Sequence, residues 1–123
     1  MSTLQCTNIQ DTSGGNSLTT AQNYSGTAKA WVNYNGVSAV TRASFNVSSV
    51  TKNGTGDYTV NFSSAFSDAN YSFLVTSNDG GGVRFSFAAI YTSGLATGSS
   101  RFLNYGDDGA LRDQAITCCS AFR

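Results

Sequence analysis

Between Ala28 and Phe62 apolar side chains return at every second position, a period that belongs to a strand and not to a helix. Ala28, Ala30, Val32 and Tyr34 alternate with Lys29, Trp31, Asn33 and Asn35, which predicts a strand with one dry face. After Gly36 a second run sets Val37, Ala39, Ala43, Phe45 and Val47 on one face and Ser38, Arg42, Ser44 and Asn46 on the other. A third run, Tyr58, Val60 and Phe62, follows Lys52-Asn53-Gly54-Thr55-Gly56-Asp57. Asn-Gly and Gly-Asp steps tolerate positive φ, so that segment reads as a hairpin loop. The runs predict a meander of at least three strands.

The rest of the chain continues in the same way. Leu4 to Ile9 reads as a short strand and Asp11 to Asn16 as a loop by composition. Thr19 to Tyr24 can make one helical turn. Ser63 to Ala69 is a connection that sends Phe66 into an end of the core. Asn70 to Ser77 is a strand with Tyr71, Phe73 and Val75 on one face and Leu74 on the other. Asn78 to Gly82 is a turn. Val83, Phe85, Phe87, Ala89 and Tyr91 then alternate with Arg84, Ser86, Ala88 and Ile90 in a long strand. Thr92 to Ser100 reads as a loop, Arg101 to Tyr105 as a short strand, Gly106 to Gly109 as a turn, and Ile116 to Phe122 as a closing apolar strand. Proline and glutamate are absent while Gly, Ser, Thr and Asn abound, a composition suited to sheets joined by turns. Strands spaced by roughly ten residues with turn signals between them predict an all-β fold, an antiparallel β-sandwich. At 123 residues the chain holds one core; residues 28–123 form it, and residues 1–27 are an N-terminal connecting segment.

Seven basic and seven acidic residues give zero formal charge. No basic field exists to hold a phosphate backbone, so nucleic acid is not an expected partner. A surface poor in charge and rich in hydroxyls and amides suits neutral, hydrogen-bonding ligands such as glycans, and inert virion surfaces share it. Histidine is absent, which excludes Ser–His–Asp and Cys–His arrangements and ordinary zinc sites. Glycoside hydrolysis needs two carboxylates across the scissile bond. The acids are all aspartates, and Asp57, Asp79, Asp107 and Asp108 each sit beside glycine as turn formers. No catalytic residue, cofactor or metal is therefore assigned. Asp107, Asp108 and Asp113 lack the alternating ligand spacing of a calcium loop and read as a solvated turn. Gly54-Thr55-Gly56 and Gly80-Gly81-Gly82 join strand to strand, with no helix N-terminus to cradle a phosphate.

Cys6, Cys118 and Cys119 are odd in number and two are adjacent, which predicts buried free thiols in a protein assembled in a reducing cytoplasm. No signal peptide and no bilayer-crossing apolar run is read. Without a signal peptide, the Asn-X-Ser/Thr sequons at Asn23, Asn46, Asn53, Asn61 and Asn70 are discounted as glycosylation sites.

Several large residues lie opposite the dry stripes of their own strands: Trp31, Leu74 and Ile90, with Ala88. Either those strands are covered on both sides within the domain, or the second face meets another subunit, with Trp31, Leu74 and Ile90 as interface residues. Tyr24, Tyr91, Phe102 and Tyr105 are candidates to present aromatic faces to a sugar or protein receptor, against core or rim packing as the competing role.

Three blocks in order, Ala30-Trp31-Val32-Asn33-Tyr34-Asn35-Gly36, Arg42-Ala43-Ser44-Phe45-Asn46-Val47-Ser48-Ser49 and Asn53-Gly54-Thr55-Gly56-Asp57-Tyr58-Thr59-Val60-Asn61-Phe62, resemble a recurrent domain of tail-fibre and receptor-binding proteins of tailed bacteriophages. The similarity reaches upstream to Asn8 to Asn16 and downstream to Asp68-Ala69-Asn70-Tyr71; the half from Gly80 onward matches no pattern. The resemblance implies a non-enzymatic, homotrimeric fibre tip, joined to the remainder of the tail fibre, that attaches the virion to a host cell-surface receptor, either a glycan or an outer-membrane protein. It implies a place in the virion after assembly in the host cytoplasm, without membrane insertion, and adhesion by many weak contacts. Loops of the second half, Asn78 to Val83, Thr92 to Ser100 and Tyr105 to Asp113, would make those contacts, with Asp79, Tyr91, Tyr105, Asp107 and Asp108 as receptor-binding candidates. A monomeric carbohydrate-binding module fits the same residues, as does a purely structural knob that registers three fibre chains.

Overall fold

The structure is a computed structural model and describes residues 2–3, 5–79 and 86–123. Among these residues lie ten strands and one helix: β1 (Asn8–Gln10), β2 (Ser17–Thr19), α1 (Thr20–Gly26), β3 (Ala30–Asn35), β4 (Val40–Phe45), β5 (Val47–Gly54), β6 (Asp57–Phe62), β7 (Ser72–Asn78), β8 (Phe87–Ala96), β9 (Ser99–Tyr105) and β10 (Ile116–Phe122). Eight strands make two four-stranded antiparallel sheets, ordered β4-β3-β10-β7 and β5-β6-β9-β8. The fold is all-β.

The period-2 stripes explain why the sheets face one another. Ala30, Val32 and Tyr34 of β3, Phe73 of β7 and Cys119 and Ala121 of β10 are buried with Tyr58, Val60 and Phe62 of β6 and Phe102 of β9. The rings of Tyr34 and Tyr58 meet edge-on at 5.4 Å, and those of Phe73 and Phe102 lie 6.5 Å apart. Each large apolar side chain removed from water contributes about 1.5–3 kcal/mol. One buried polar bridge links the sheets, Asn104 Nδ2 donating to Thr117 Oγ1 at 2.9 Å. Phe66 closes one end as the connecting segment predicts, stacked on Tyr71 with centroids 4.5 Å apart.

The stretch from Ala28 to Phe62 is not one meander. β3 and β4 belong to one sheet, β5 and β6 to the other, and the chain changes sheets at Asn46. Asn46 adopts φ 53, a left-handed conformation that asparagine tolerates better than most residues. Its side chain secures the corner, Nδ2 donating to the carbonyl oxygens of Lys29 (3.0 Å) and Ser64 (3.2 Å) and Oδ1 accepting from the Ser64 amide (2.8 Å). Phe45 and Val47, two apart in sequence, therefore leave the shared face that simple alternation assigns them. Phe45 pairs with Trp31 in the first sheet, and Val47 pairs with Phe62 in the second. The strand before it also starts later than the alternation suggests, because Ala39 sits at φ 55.

Two expected loops contract into strand. β5 runs through Lys52 to Gly54, leaving Thr55 and Gly56 as the turn. Gly56 has φ +67, and a Cβ there would lie 2.6 Å from the Asn104 oxygen and 2.7 Å from the Arg112 nitrogen, so glycine is required on two grounds. Most of Thr92 to Ser100 is likewise β8 and β9, joined at Thr97 and Gly98. The faces of β8 are the reverse of those expected. Ala88 pairs with Asn104 and Ile90 with Phe102, and since Asn104 and Phe102 are buried, Ala88 and Ile90 turn to the core side, Ile90 still 44% exposed at the sheet edge, so Phe87 and Tyr91 stand on the outer face. Strand alternation is blind to which stripe faces in; the register against β9 sets it. The expected strand residues Val83, Arg84 and Phe85, the turn at Gly80 to Gly82, and Leu4 lie outside the described residues.

The cysteines depart from expectation too. Neighbours on β10, Cys118 and Cys119 point to opposite sides, and all three cysteines are free, but only Cys119 is buried; Cys6 and Cys118 are exposed.

Ahead of the sandwich, β1 and β2 pair as a hairpin around Asp11, whose carboxylate accepts from Ser13, Gly15 and Asn16. Helix α1 starts on a full capping box: Gln22 N donates to Thr19 Oγ1 at 3.1 Å and Thr19 N to Gln22 Oε1 at 2.9 Å. None of its residues is buried. Thr19→Ala should thus cost about 1 kcal/mol of helix stability. The expected result is faster amide exchange in residues 20–26 with no change in the unfolding midpoint of the sandwich; a shifted midpoint would show that the arm is part of the cooperative unit.

Candidate functional site

Three surfaces collect the residues that sequence patterns single out. The first is the outer face of the β4-β3-β10-β7 sheet. Register places Phe45, Trp31, Ser120 and Leu74 side by side across all four strands. Ile116 and Val40 stand on the same face nearer its other end, and all five apolar side chains are at least 40% exposed. The nearby charges are engaged locally. Arg42 donates to Asn33 Oδ1 (3.1 Å) and the Ala115 oxygen (2.8 Å), and Lys29 donates to the Tyr24 oxygen. Trp31 and Leu74 thus come together as the candidate interface pairs them. Ile90 does not join them: it sits in the other sheet, on the core side beside Phe102.

The second surface is the outer face of the β5-β6-β9-β8 sheet. Amides and hydroxyls interlock across β5 and β6: Asn61 Nδ2 donates to Ser49 Oγ (3.0 Å) and Thr51 Oγ1 (2.9 Å), and Asn53 Nδ2 donates to Thr59 Oγ1 (2.9 Å) and Asp57 Oδ1 (3.1 Å). Next to this ladder Arg101 of β9 forks onto Asp57, Nε to Oδ1 at 2.9 Å and Nη2 to Oδ2 at 2.6 Å. The Arg101 guanidinium beside Asp57 holds that carboxyl below its ordinary value, and Asp57 in turn raises Arg101. The guanidinium carbon lies 3.9 Å from the centre of the Tyr91 ring. Two rungs along, Phe87 stacks on Tyr105 at 4.8 Å and 13°. Tyr91 and Tyr105 are strand residues, as expected, on one sheet face; Tyr105 ends β9, whereas β8 continues past Tyr91 to Ala96.

A wide bulge sits at the end of this face. Ile90 pairs with Phe102 and Leu95 with Ser100, so Tyr91, Thr92, Ser93 and Gly94 together oppose Arg101 alone. Ser93 takes φ 61. Gly94 is pressed so closely onto the strand that a Cβ would fall 2.6 Å from the Arg101 oxygen. Between bulge and ladder lies an open cleft of about 560 Å³ walled by Tyr91 and Arg101.

The third surface is one end of the sandwich, where Asp79 and Asp107 line a depression of about 290 Å³ with Arg112, Asp113 and Gln114. Asp108 is turned to Arg112, accepting from Nη2 at 2.5 Å and Nε at 3.3 Å; this pairing, helped by the Ala110 amide, holds its carboxyl at about 2. Asp113 is a structural hub. Its Oδ1 accepts from the Gly56 amide (2.9 Å) and the Tyr58 hydroxyl, and its Oδ2 from Lys52 Nζ (2.6 Å). Among the described residues no group of three His, Cys, Asp or Glu side chains is gathered as for a metal ion.

The five receptor-binding candidates consequently divide between two places, Tyr91 and Tyr105 on the sheet face and Asp79, Asp107 and Asp108 at the end. Sequence reasoning passed over Asp57, Phe87 and Arg101. The available signal was the outward parity of Asp57, Thr59 and Asn61 opposite Tyr58, Val60 and Phe62. No protein-family model, curated protein or solved structure matches this chain.

Proposed function

We propose that this chain is a non-enzymatic tip domain of a bacteriophage tail fibre, that it assembles as a homotrimer, and that it attaches the virion to a host cell-surface receptor. The ordered blocks from Ala30 to Phe62 supply the phage reading. The observation that carries assembly is the uncharged outer row of Phe45, Trp31 and Leu74. Exposed apolar rows of this kind lose free energy in water that a partner copy restores, and a homotypic contact needs a patch without like charges facing one another. Three copies then offer three receptor sites, so modest contacts add through avidity.

Light scattering after size exclusion tests the assembly directly. The expected mass is about three times 12.9 kDa; a single-chain mass at high micromolar concentration would overturn it. Host attachment is tested by preincubating host cells with the purified chain, which should lower adsorption of the virion that carries it. Unchanged adsorption would remove the adhesive role. The monomeric carbohydrate-binding module keeps one observation in its favour, the aromatic and amide-lined face of the other sheet, and a single-chain mass would select it.

A further inference from the structure

The cleft beside the β8 bulge has a chemistry of its own. Its wall is a stack, the Arg101 guanidinium carbon lying 3.9 Å over the centre of the Tyr91 ring. Its charge is spent, because Asp57 holds Arg101 through two hydrogen bonds of 2.9 and 2.6 Å. The rest of its rim is hydroxyl-rich: Thr59, Thr92, Ser93 and Ser99. Thr59 accepts from Asn53, whereas the side chains of Thr92, Ser93 and Ser99 make no hydrogen bond among the described residues, which leaves each a donor and an acceptor to offer. The bulge itself is held in place by a left-handed Ser93 and by a Gly94 that no larger residue can replace, and strained backbone of this kind persists where the surroundings over-determine it.

We infer that this cleft is a binding site for a neutral saccharide, seated against the Tyr91–Arg101 wall and hydrogen-bonded by the rim hydroxyls. A pyranose ring presents an apolar C–H face and a girdle of hydroxyls, matching an aromatic–guanidinium stack beside a hydroxyl rim. The volume of about 560 Å³ lies within the range of ligand sites, ~300–1,000 Å³. An acidic sugar gains nothing here, since the Arg101 fork that would grip its carboxylate is filled by Asp57. A peptide added along the β8 edge is disfavoured, because the bulge breaks the run of edge amides that strand addition needs. The inference rests on the adhesive reading above and names its ligand class. It moves the contact from the loops to a sheet face.

The test is a titration of the ¹⁵N-labelled full chain, followed by amide shifts. The probes are methyl glucoside, methyl galactoside, methyl mannoside and N-acetylglucosamine, with glucuronic acid as the charged counterpart of glucose. The expected result is saturable shifts confined to Thr59, Tyr91 to Gly94, Ser99 and Arg101 with at least one neutral probe, reaching saturation by about 50 mM for an affinity near ~1 mM. Tyr91→Ala should weaken that probe about tenfold, and Thr92→Ala, which alters only an exposed rim hydroxyl, should weaken it in the same direction. The site falls if no neutral probe shifts these amides, if glucuronic acid binds more tightly than the glucoside, or if both variants bind as the parent does. The molar mass separates the two readings. Sugar binding by a single chain keeps this site and removes the fibre tip, whereas a trimer that ignores every neutral probe keeps the tip and removes this site.

Discussion

Asp113→Ala is expected to lower the free energy of unfolding by about 2–4 kcal/mol at neutral pH, since each buried donor left without an acceptor costs about 1–3 kcal/mol. The Tyr58 hydroxyl and the Gly56 amide both lose their partner, and Tyr58 is wholly buried between Tyr34 and Phe102. Lys52 adds little, being a third exposed at the surface. Burial, and then the Asp113 carboxylate, push the Tyr58 phenol above its usual range, so it stays a donor at every pH of interest. Burial by itself would raise the Asp113 carboxyl; the Gly56 amide, Lys52 and Tyr58 outweigh it and leave the group below its ordinary 3.8. A carboxyl lowered on folding contributes stability that is complete above its unfolded pKa and disappears as pH falls through the folded one. Urea unfolding of the parent should therefore weaken below about pH 4, and Asp113→Asn should lack that part of the acid dependence. Equal urea midpoints for parent and Asp113→Ala at neutral pH would remove Asp113 from its place as the hub.

Trp31→Glu combined with Leu74→Glu is expected to convert the proposed trimer into single chains while the sandwich stays folded. Both side chains stand on the outer face, in one row with Phe45, and neither contributes to the core between the sheets. Like charges brought together across a homotypic contact cost several kcal/mol, and three copies multiply the repulsion. On a free surface the same substitutions change stability within about 0.5 kcal/mol. Light scattering reads the mass and circular dichroism reads the fold. A trimer that survives both substitutions places the subunit contact elsewhere. Ile90→Glu is the matched comparison: it sits beside Phe102 at the sheet edge, so it should cost stability and not assembly.

The inward stripes were legible before any coordinates. Ala30, Val32 and Tyr34, then Tyr58, Val60 and Phe62, then Tyr71 and Phe73, are buried where alternation puts them. So was the exposed row, in part: Trp31 and Leu74 stood out as large residues on the wet sides of their strands. The helical turn expected over Thr19 to Tyr24 is the start of α1, whereas its capping pair, Thr19 and Gln22, emerged only in the structure. What escaped was everything that depends on a kink or a register. Asn46 breaks the parity between Phe45 and Val47, and the four-residue bulge from Tyr91 to Gly94 made a strand look like a loop.

The sequence by itself determined that the chain is built of strands, which stripe of most of them is dry, and that its surface is polar without net charge. These follow from a backbone pleat whose period is two and from side-chain chemistry, both local. Only the tertiary structure decided which sheet each strand enters, which way β8 faces, and that Asp57, Arg101 and Tyr91 share one wall. Asp57 and Arg101 are 44 residues apart. They meet because β6 and β9 pair in one register, and a shift of a single residue would turn Arg101 into the core and Phe102 out to water.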